Sequence, residues 1–439
     1  MLKVYFVNPK SGLEDFSYEL PLNICQLISC IRDEEFIKQI NVIDFELNGY
    51  DESLINSVEN STECIFCIPI YTYYSEETIK LCKTIKSLKG SVKIIVGGPH
   101  ATLDGENILS KNKEIDYILQ GEGDFSLPQL LRAINDSSVY DGINGLIYRD
   151  KANNIIKTKE FDRIDDISNL PLQTRGFEYF DLGKIRDKIG FLPYISSRGC
   201  CYKCIFCSSS NIWKRKLKLI PVPTVLKEVE QIKTLGFNYI NFRDDFFTAN
   251  NEWLDSLLLG LKDLDMVWGC ETRIDAVHDD LLAKMRESGC KLLRFGIESF
   301  NQKSLDAIGK KFKADLAVEN LKKVIKMGFE EIRCSFMVGI PGESVDDVKN
   351  TVSICRELKP MKSRFWALAP VIGTEIYNNM DKYGIKFVNY SLNSTYSNIE
   401  TNDMKNSEIN NLLDSIYDEF KYPLSYYHRD FSDIMSVKV

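Results

Sequence analysis

Histidine is close to missing from this chain, three among 439 residues, which argues against zinc or di-iron chemistry built on imidazoles. Long apolar runs are missing too. No stretch reaches the 18 or so residues a membrane helix needs and no targeting leader is recognisable, so a soluble, cytoplasmic protein without a membrane partner is expected. An excess of positive charge is also lacking: the formal net charge is −8. This speaks against a surface that tracks phosphates, and so against nucleic acid as substrate, while leaving room for a local basic patch. No low-complexity tract occurs.

Cysteine, by contrast, is plentiful, and thirteen cysteines in a reducing compartment are expected as free thiols or metal ligands, not as a disulfide framework. Three of them, Cys200, Cys204 and Cys207, lie in the stretch Ser197-Arg198-Gly199-Cys200-Cys201-Tyr202-Lys203-Cys204-Ile205-Phe206-Cys207-Ser208. The spacing C-x3-C-x2-C lets three thiolates of one loop converge on a single iron–sulfur cluster. A cubane of four irons normally takes four thiolates, so three leave one iron open to a ligand that does chemistry. No second C-x2-C or C-x2-H pair lies nearby to close a structural zinc site. Cys64 and Cys67 have knuckle spacing, but they sit in the apolar run Cys64 to Ile70, which reads as a buried strand, and are expected as core thiols. Cys201, adjacent to the first ligand, is expected to be a spectator.

The rest of the chain reads as α/β. Strand-like runs at Leu2 to Val7, Asn41 to Phe45, Cys64 to Ile70, Val92 to Val96 and Tyr117 to Leu119 alternate with helical patterns such as Pro21 to Ile31 and Glu76 to Leu88. Such alternation predicts a doubly wound parallel sheet that binds ligands beyond the carboxyl ends of its strands. Two of those ends carry glycines, Gly97-Gly98-Pro99-His100 and Gly121-Glu122-Gly123-Asp124, where backbone can approach something flat or anionic. A glycine turn capped by Asp124 explains the second equally well, and His100 reads as a turn residue before it reads as a metal ligand. Leu146 to Lys157 predicts a hairpin, and the polar stretch after it a linker. Beyond it the chain repeats helix, glycine stop and strand: Gly236 before Tyr239 to Phe242, Gly289 before Leu292 to Gly296, Gly328 before Ile332 to Val338. With Pro193 to Ser196, Val267 to Cys270 and Phe365 to Leu368 this makes six strands of a partial β/α barrel, whose chemistry belongs at the carboxyl ends. The polar residues there are Arg243, Asp244, Asp245, Glu271, Arg273, Glu298 and Ser299, with Gly339 in Gly339-Ile340-Pro341-Gly342-Glu343, then Pro370 and Gly373-Thr374; singly, each could be an ordinary rim contact. Tyr383 to Asn398 reads as irregular, Asn402 to Phe420 as a helix and Tyr422 to Tyr427 as an aromatic tail, together a cap beside the barrel mouth or simply core packing.

The cysteine loop resembles that of the radical S-adenosylmethionine (SAM) enzymes, which carry C-x3-C-x-aromatic-C after the first barrel strand; Phe206 fills the aromatic position. The wording Ser197-Arg198-Gly199-Cys200 resembles the subgroup with an N-terminal cobalamin-binding domain, and the resemblance covers nearly the whole chain. It implies a Rossmann-like cobalamin-binding domain over residues 1–145 and a hairpin and linker over 146–190. A (β/α)6 radical SAM barrel over 191–380 and a small helical C-terminal cap over 381–439 complete it. It also implies a [4Fe–4S] cluster on Cys200, Cys204 and Cys207, and SAM along Phe206, Asp244, Asp245, Arg273, Glu298, Ser299 and Gly339. Cobalamin would lie along Gly97, Gly98, Pro99, Gly121 and Glu122. Two departures stand out. Strand two ends in Arg243-Asp244-Asp245 where the family has Gly-Gly-Glu, so the carboxylate that meets the methionyl amine stays open. The first strand leads into Asn8-Pro9-Lys10-Ser11-Gly12 where many cobalamin domains have D-x-H-x-x-G, so no histidine of that motif lies below the cobalt, and a vestigial domain without corrinoid stays open. The implied reaction is anaerobic: hydrogen abstraction by a 5′-deoxyadenosyl radical, then methyl transfer from methylcobalamin to an unactivated carbon of a small-molecule or peptide substrate. An external flavodoxin- or ferredoxin-type donor would supply electrons. Non-methylating ring contraction, cyclisation or oxidation is the alternative. A transfer-RNA methylthiolating enzyme would need a second three-cysteine set and a basic terminal module, and a non-enzymatic corrinoid sensor would need no cysteine loop.

Overall fold

The computed structural model describes residues 1–11, 18–359, 361–389 and 396–420. It divides into two compact units, Met1–Ile189 and Gly190–Val439.

The first unit is built on β1 (Leu2–Asn8), β2 (Ile37–Asp44), β3 (Cys64–Pro69), β4 (Lys93–Gly97), β5 (Tyr117–Leu119), β6 (Leu146–Arg149) and β7 (Ile155–Lys157), in the order β2-β1-β3-β4-β5-β6-β7. The first five strands are parallel, with the order reversing between β1 and β3, and β6 and β7 extend the sheet antiparallel. Every residue of β3 is buried, so Cys64 and Cys67 lie in the core among Ile65, Phe66 and Ile68. Strand β2 stops at Asp44 because that carboxylate accepts from Leu47 N and starts a helical turn, which ends the strand one residue before the expected Phe45.

The expected hairpin is β6–β7, paired antiparallel, and β6 continues the ladder from β5, pairing Leu119 with Leu146. The polar stretch that follows is also docked on the first unit. Arg163 Nε donates to Glu122 Oε2 at 2.9 Å, as does the Ile164 backbone N–H. The short helix Gln173–Tyr179 lies so close to the helix Leu22–Ile31 that a Cβ on Gly176 would stand 2.2 Å from the Cys25 carbonyl oxygen. Polar residues predicted a solvated tether; here their side chains serve as hydrogen-bonding cement.

The second unit holds β8 (Leu192–Tyr194), β9 (Ser197–Arg198), β10 (Lys218–Leu219), β11 (Tyr239–Phe242), β12 (Val267–Thr272), β13 (Cys290–Glu298), β14 (Glu331–Val338) and β15 (Lys362–Ala367). Six of these form one parallel sheet in the order β15-β14-β13-β12-β11-β8, with helices between consecutive strands. The intervening helices are amphipathic; Val225, Val229 and Ile232 of Val222–Thr234 are fully buried. Within the stretch expected to be irregular, β16 (Ile385–Phe387) pairs antiparallel with β17 (Ile399–Thr401). The last helix, Asn406–Phe420, starts four residues after the expected Asn402 and lies against β15, where the Tyr417 hydroxyl donates to the Phe365 carbonyl at 2.9 Å. The aromatic tail from Tyr422 lies outside the described residues. No described helix is long and apolar enough to cross a membrane.

The Glu122–Arg163 pair is nearly sealed from solvent, its side chains 5% and 2% exposed. Removing one partner strands a buried charge at a cost of about 3–5 kcal/mol. Glu122→Ala is therefore expected to lower the denaturant midpoint of the full chain strongly, and the double variant with Arg163→Ala to recover part of the loss; equal loss in both would refute the pairing.

Candidate active site

The cysteine loop leaves the carboxyl end of β8 and is closed at its base by β9 and β10, where Ser197 pairs with Leu219 and Arg198 with Lys218. The Ile220 N–H adds a bond to the Ser196 carbonyl at 2.9 Å. Two further segments hold the loop. The Ile205 N–H donates to the Ile308 carbonyl after β13 at 3.2 Å, and the Ile205 carbonyl accepts from Ile376 N after β15 at 3.1 Å. Lys203 Nζ pairs with Glu375 at 3.2 Å, and the Asn211 side chain donates to the Gly373 carbonyl. Below Phe206 lies an apolar floor of Ile308, Ile340, Leu368 and Ile376, which keeps water from that side of the loop.

Cys204 adds to the upward shift of both Cys200 and Cys207, burial being the chief cause, and Cys207 is pushed up to about 11. Burial also raises Cys204, opposed by the positive charges of Lys310 and Arg273. Among the described residues no set of His, Cys, Asp or Glu side chains converges on a point the size of one metal ion. Cys201 is exposed.

Around the loop stand the strand ends. Asp245 accepts from the Ser209 hydroxyl at 2.6 Å, and its charge is felt by Cys200 and Cys207, which puts it beside the loop. Asp244 points the other way. It is 3% exposed, its Oδ1 accepts from the Ser196 N–H at 3.1 Å and hydroxyl at 2.9 Å, and its Oδ2 has no hydrogen-bond partner. Glu298 sits at the end of β13 with φ +71°, a left-handed conformation costing a non-glycine residue about 1–2 kcal/mol. Its Oε1 pairs with Lys310 Nζ at 3.0 Å, and a Cβ on Gly296 would fall 2.8 Å from that oxygen and 3.2 Å from the ammonium. Only glycine leaves the carboxylate that room.

The profile of the Radical SAM superfamily matches residues 194–355, and that of the B12 binding domain residues 17–131. The chain thus carries a B12 binding domain followed by a radical SAM domain, the pairing of the cobalamin-dependent radical SAM enzymes. It is 26% identical over 361 residues to a protein of Pyrococcus horikoshii named as an uncharacterized methyltransferase, covering 81% of this chain and 77% of that one. It is 23% identical over 314 residues to the anaerobic magnesium-protoporphyrin IX monomethyl ester cyclase of Rubrivivax gelatinosus, covering 67% of this chain and 54% of the cyclase. In fold it is similar to the radical SAM methyltransferase TsrM of Kitasatospora setae, with a TM-score of 0.74 at 15% identity over 98% of this chain and 82% of that one.

A radical SAM enzyme takes a [4Fe–4S] cluster, SAM and, in this family, cobalamin. The second unit fits the first two: three thiols in one loop, flanked by the cations Arg273 and Lys310 and by the carboxylate of Asp245. Three other expected contacts are placed differently. Arg273 is a brace: it forks onto Asp275 at 2.9 and 3.0 Å, donates to the Lys310 carbonyl at 2.8 Å and stacks 3.6 Å from the centre of the Tyr202 ring in the cysteine loop. Ser299 is turned into the core, its hydroxyl between Glu343 and Thr351 at 3.5 and 3.4 Å. Gly339 has φ +92° and gives its N–H to Glu343 Oε2 at 3.1 Å; burial raises that carboxyl to about 8. In the first unit, Gly98 at φ +97° carries backbone tightly past Ile70, where a Cβ would stand 3.1 Å from the Ile70 carbonyl oxygen. His100 opens the following helix with Nδ1 3.2 Å from the Thr72 hydroxyl. Gly121 and Glu122 face inward instead: a Cβ on Gly121 would meet the Phe161 ring at 2.5 Å, and Glu122 is committed to Arg163.

Desolvation raises Asp244 from its ordinary 3.8 to about 6. Between those values the folded protein holds a proton that the unfolded chain has lost, so this group's contribution to stability falls as pH rises through that window. Wild type is expected to lose about 2–3 kcal/mol relative to Asp244→Asn between pH 4 and 6.5 in denaturant titrations. Parallel pH profiles of the two would refute it.

Proposed function

We propose that the protein is a cobalamin-dependent radical SAM methyltransferase that alkylates an unactivated carbon of a small-molecule or peptide substrate. The observation that carries this reading is the cysteine loop seated at the carboxyl ends of the barrel strands in a chain whose first unit matches the B12 binding domain. When bound, the reduced cluster and SAM supply a hydrogen-abstracting radical and the corrinoid supplies the methyl group. Cys200, Cys204 and Cys207 hold the cluster. Asp245, beside two of them, holds the methionyl amine, while Asp244 supports the end of β8 from below. Glu298, fixed by Lys310, orients the ribose. Gly97, Gly98, Pro99, Thr72 and His100 border the corrinoid crevice. A soluble one-electron donor of the flavodoxin or ferredoxin type completes the system. The cyclase relative supports a second reading, oxidative ring closure without methyl transfer.

Two measurements test this. Anaerobically reconstituted wild type and Cys201→Ala are expected to hold about four irons per chain, and the triple variant Cys200→Ala, Cys204→Ala, Cys207→Ala to lose the cluster from its Mössbauer spectrum; a retained cluster would sink the assignment.

In turnover, 5′-deoxyadenosine and S-adenosylhomocysteine should accumulate in a ratio of about one to one, because one SAM serves the radical and another the cobalt. Product from deuteromethyl SAM should gain the whole labelled methyl. Deoxyadenosine alone, with unlabelled product, would select ring closure.

A further inference from the structure

Burial raises all three loop thiols, but Lys310 and Arg273 oppose it at Cys204, whereas Asp245 adds to it at Cys200 and Cys207. Backbone contacts place those cations there. Residues 203–205 run against the segment after β13: the Ile205 N–H bonds to the Ile308 carbonyl at 3.2 Å, and a Cβ on Gly309, at φ +73°, would stand 3.1 Å from the Lys203 carbonyl oxygen. Arg273, just after β12, is fastened to both segments and is 6% exposed. Its Nη2 donates to the Lys310 carbonyl at 2.8 Å, and its central carbon lies 3.6 Å from the centre of the Tyr202 ring, two residues before Cys204. From the other side Asp275 takes Nε at 2.9 Å and Nη2 at 3.0 Å. Nη1 takes no part in these bonds. The guanidinium reaches the Cys204 sulfur as a hydrogen-bond donor. Lys310 is not its equivalent, because its ammonium is paired with Glu298 at 3.0 Å.

A thiolate that ligates iron gains negative charge when the cluster it holds takes up an electron, and an N–H group aimed at its sulfur favours that reduced state. We propose that Arg273 is a positioning residue that sets the reduction potential of the cluster: held by Asp275, the Lys310 carbonyl and Tyr202, it donates to the Cys204 sulfur and eases electron uptake. One electron leaves the external one-electron donor and one electron enters the cluster, with no proton transferred. Asp275 has a double influence. Its carboxylate aligns the fork and also cancels part of the fork's charge, and with the two side chains only 8% and 16% exposed, solvent screens neither fully. The inference rests on the cluster assignment proposed above.

The full chain is reconstituted anaerobically with iron and sulfide, its iron is counted, and the cluster is titrated potentiometrically without SAM, the reduced form being read by electron paramagnetic resonance. Arg273→Gln is expected to make reduction at least tenfold less favourable, a midpoint lower by about 59 mV or more for one electron. Asp275→Asn is expected to move the midpoint the other way, and Lys313→Gln, which removes a charge from an exposed position, to leave it in place. A wild-type midpoint in iron-replete Arg273→Gln would overturn the proposal, as would an equal shift in Lys313→Gln. So would an unmoved or lowered midpoint in Asp275→Asn, which decides the matter if Arg273→Gln folds poorly or holds no cluster. Wild type that fails to bind about four irons would overturn the cysteine assignment and this inference with it; iron-replete wild type with unmoved midpoints in the variants overturns this inference alone.

Discussion

Ile205 commits both of its backbone hydrogen-bonding groups across the barrel mouth, its N–H to Ile308 after β13 and its carbonyl to Ile376 after β15. A loop of this length would otherwise sample many conformations, at an entropic cost of about 1–2 kcal/mol for each residue ordered. The two bonds, with the β9–β10 closure at the base and Arg273 stacked on Tyr202, fix where three thiols can stand. Cys204 and Phe206 flank this pivot directly. The apolar floor under Phe206 excludes water from the pivot's amides, which strengthens those bonds and protects whatever the thiols hold.

Charge is distributed against the overall balance of the chain. The molecule is acidic overall, yet cations gather inside the barrel strands, and Lys310 and Arg273 stand against the cysteine loop. Positive charge beside the loop favours the thiolate form of Cys204. Each of three guanidiniums has a brace. Asp275 aligns Arg273, Asn241 aligns Arg294 and Trp366 flattens Arg364, so each guanidinium presents a defined edge.

Several local features were legible from residue order alone. The C-x3-C-x2-C spacing, the six barrel strands and the five parallel strands of the first unit follow from short-range rules: thiol reach within a loop, helix period, glycine stops. Strand ends moved by a few residues where a side chain intervened, as Asp44 does by capping a turn. Side-chain allegiance was not legible. Ser299 and Arg273 lie at strand ends, where a rule about barrels makes them candidates, but one faces Thr351 and the other braces Tyr202. Glu122 has a glycine-rich context that suits a ligand, yet its partner Arg163 sits 41 residues later in a stretch that composition marks as a tether.

What the sequence by itself determined is therefore the pair of parallel sheets and the cysteine loop, because each depends on contacts within a few residues or on a repeating period. The cationic row of Arg294, Arg333 and Lys362 was decided only by tertiary structure. Each is an unremarkable charge within its own strand, and they meet because parallel registry across β13, β14 and β15 aligns positions some thirty to forty residues apart on one face. These strands are joined by long helical crossovers, so no tight turn fixes their registry; it is decided when the helices pack on the sheet.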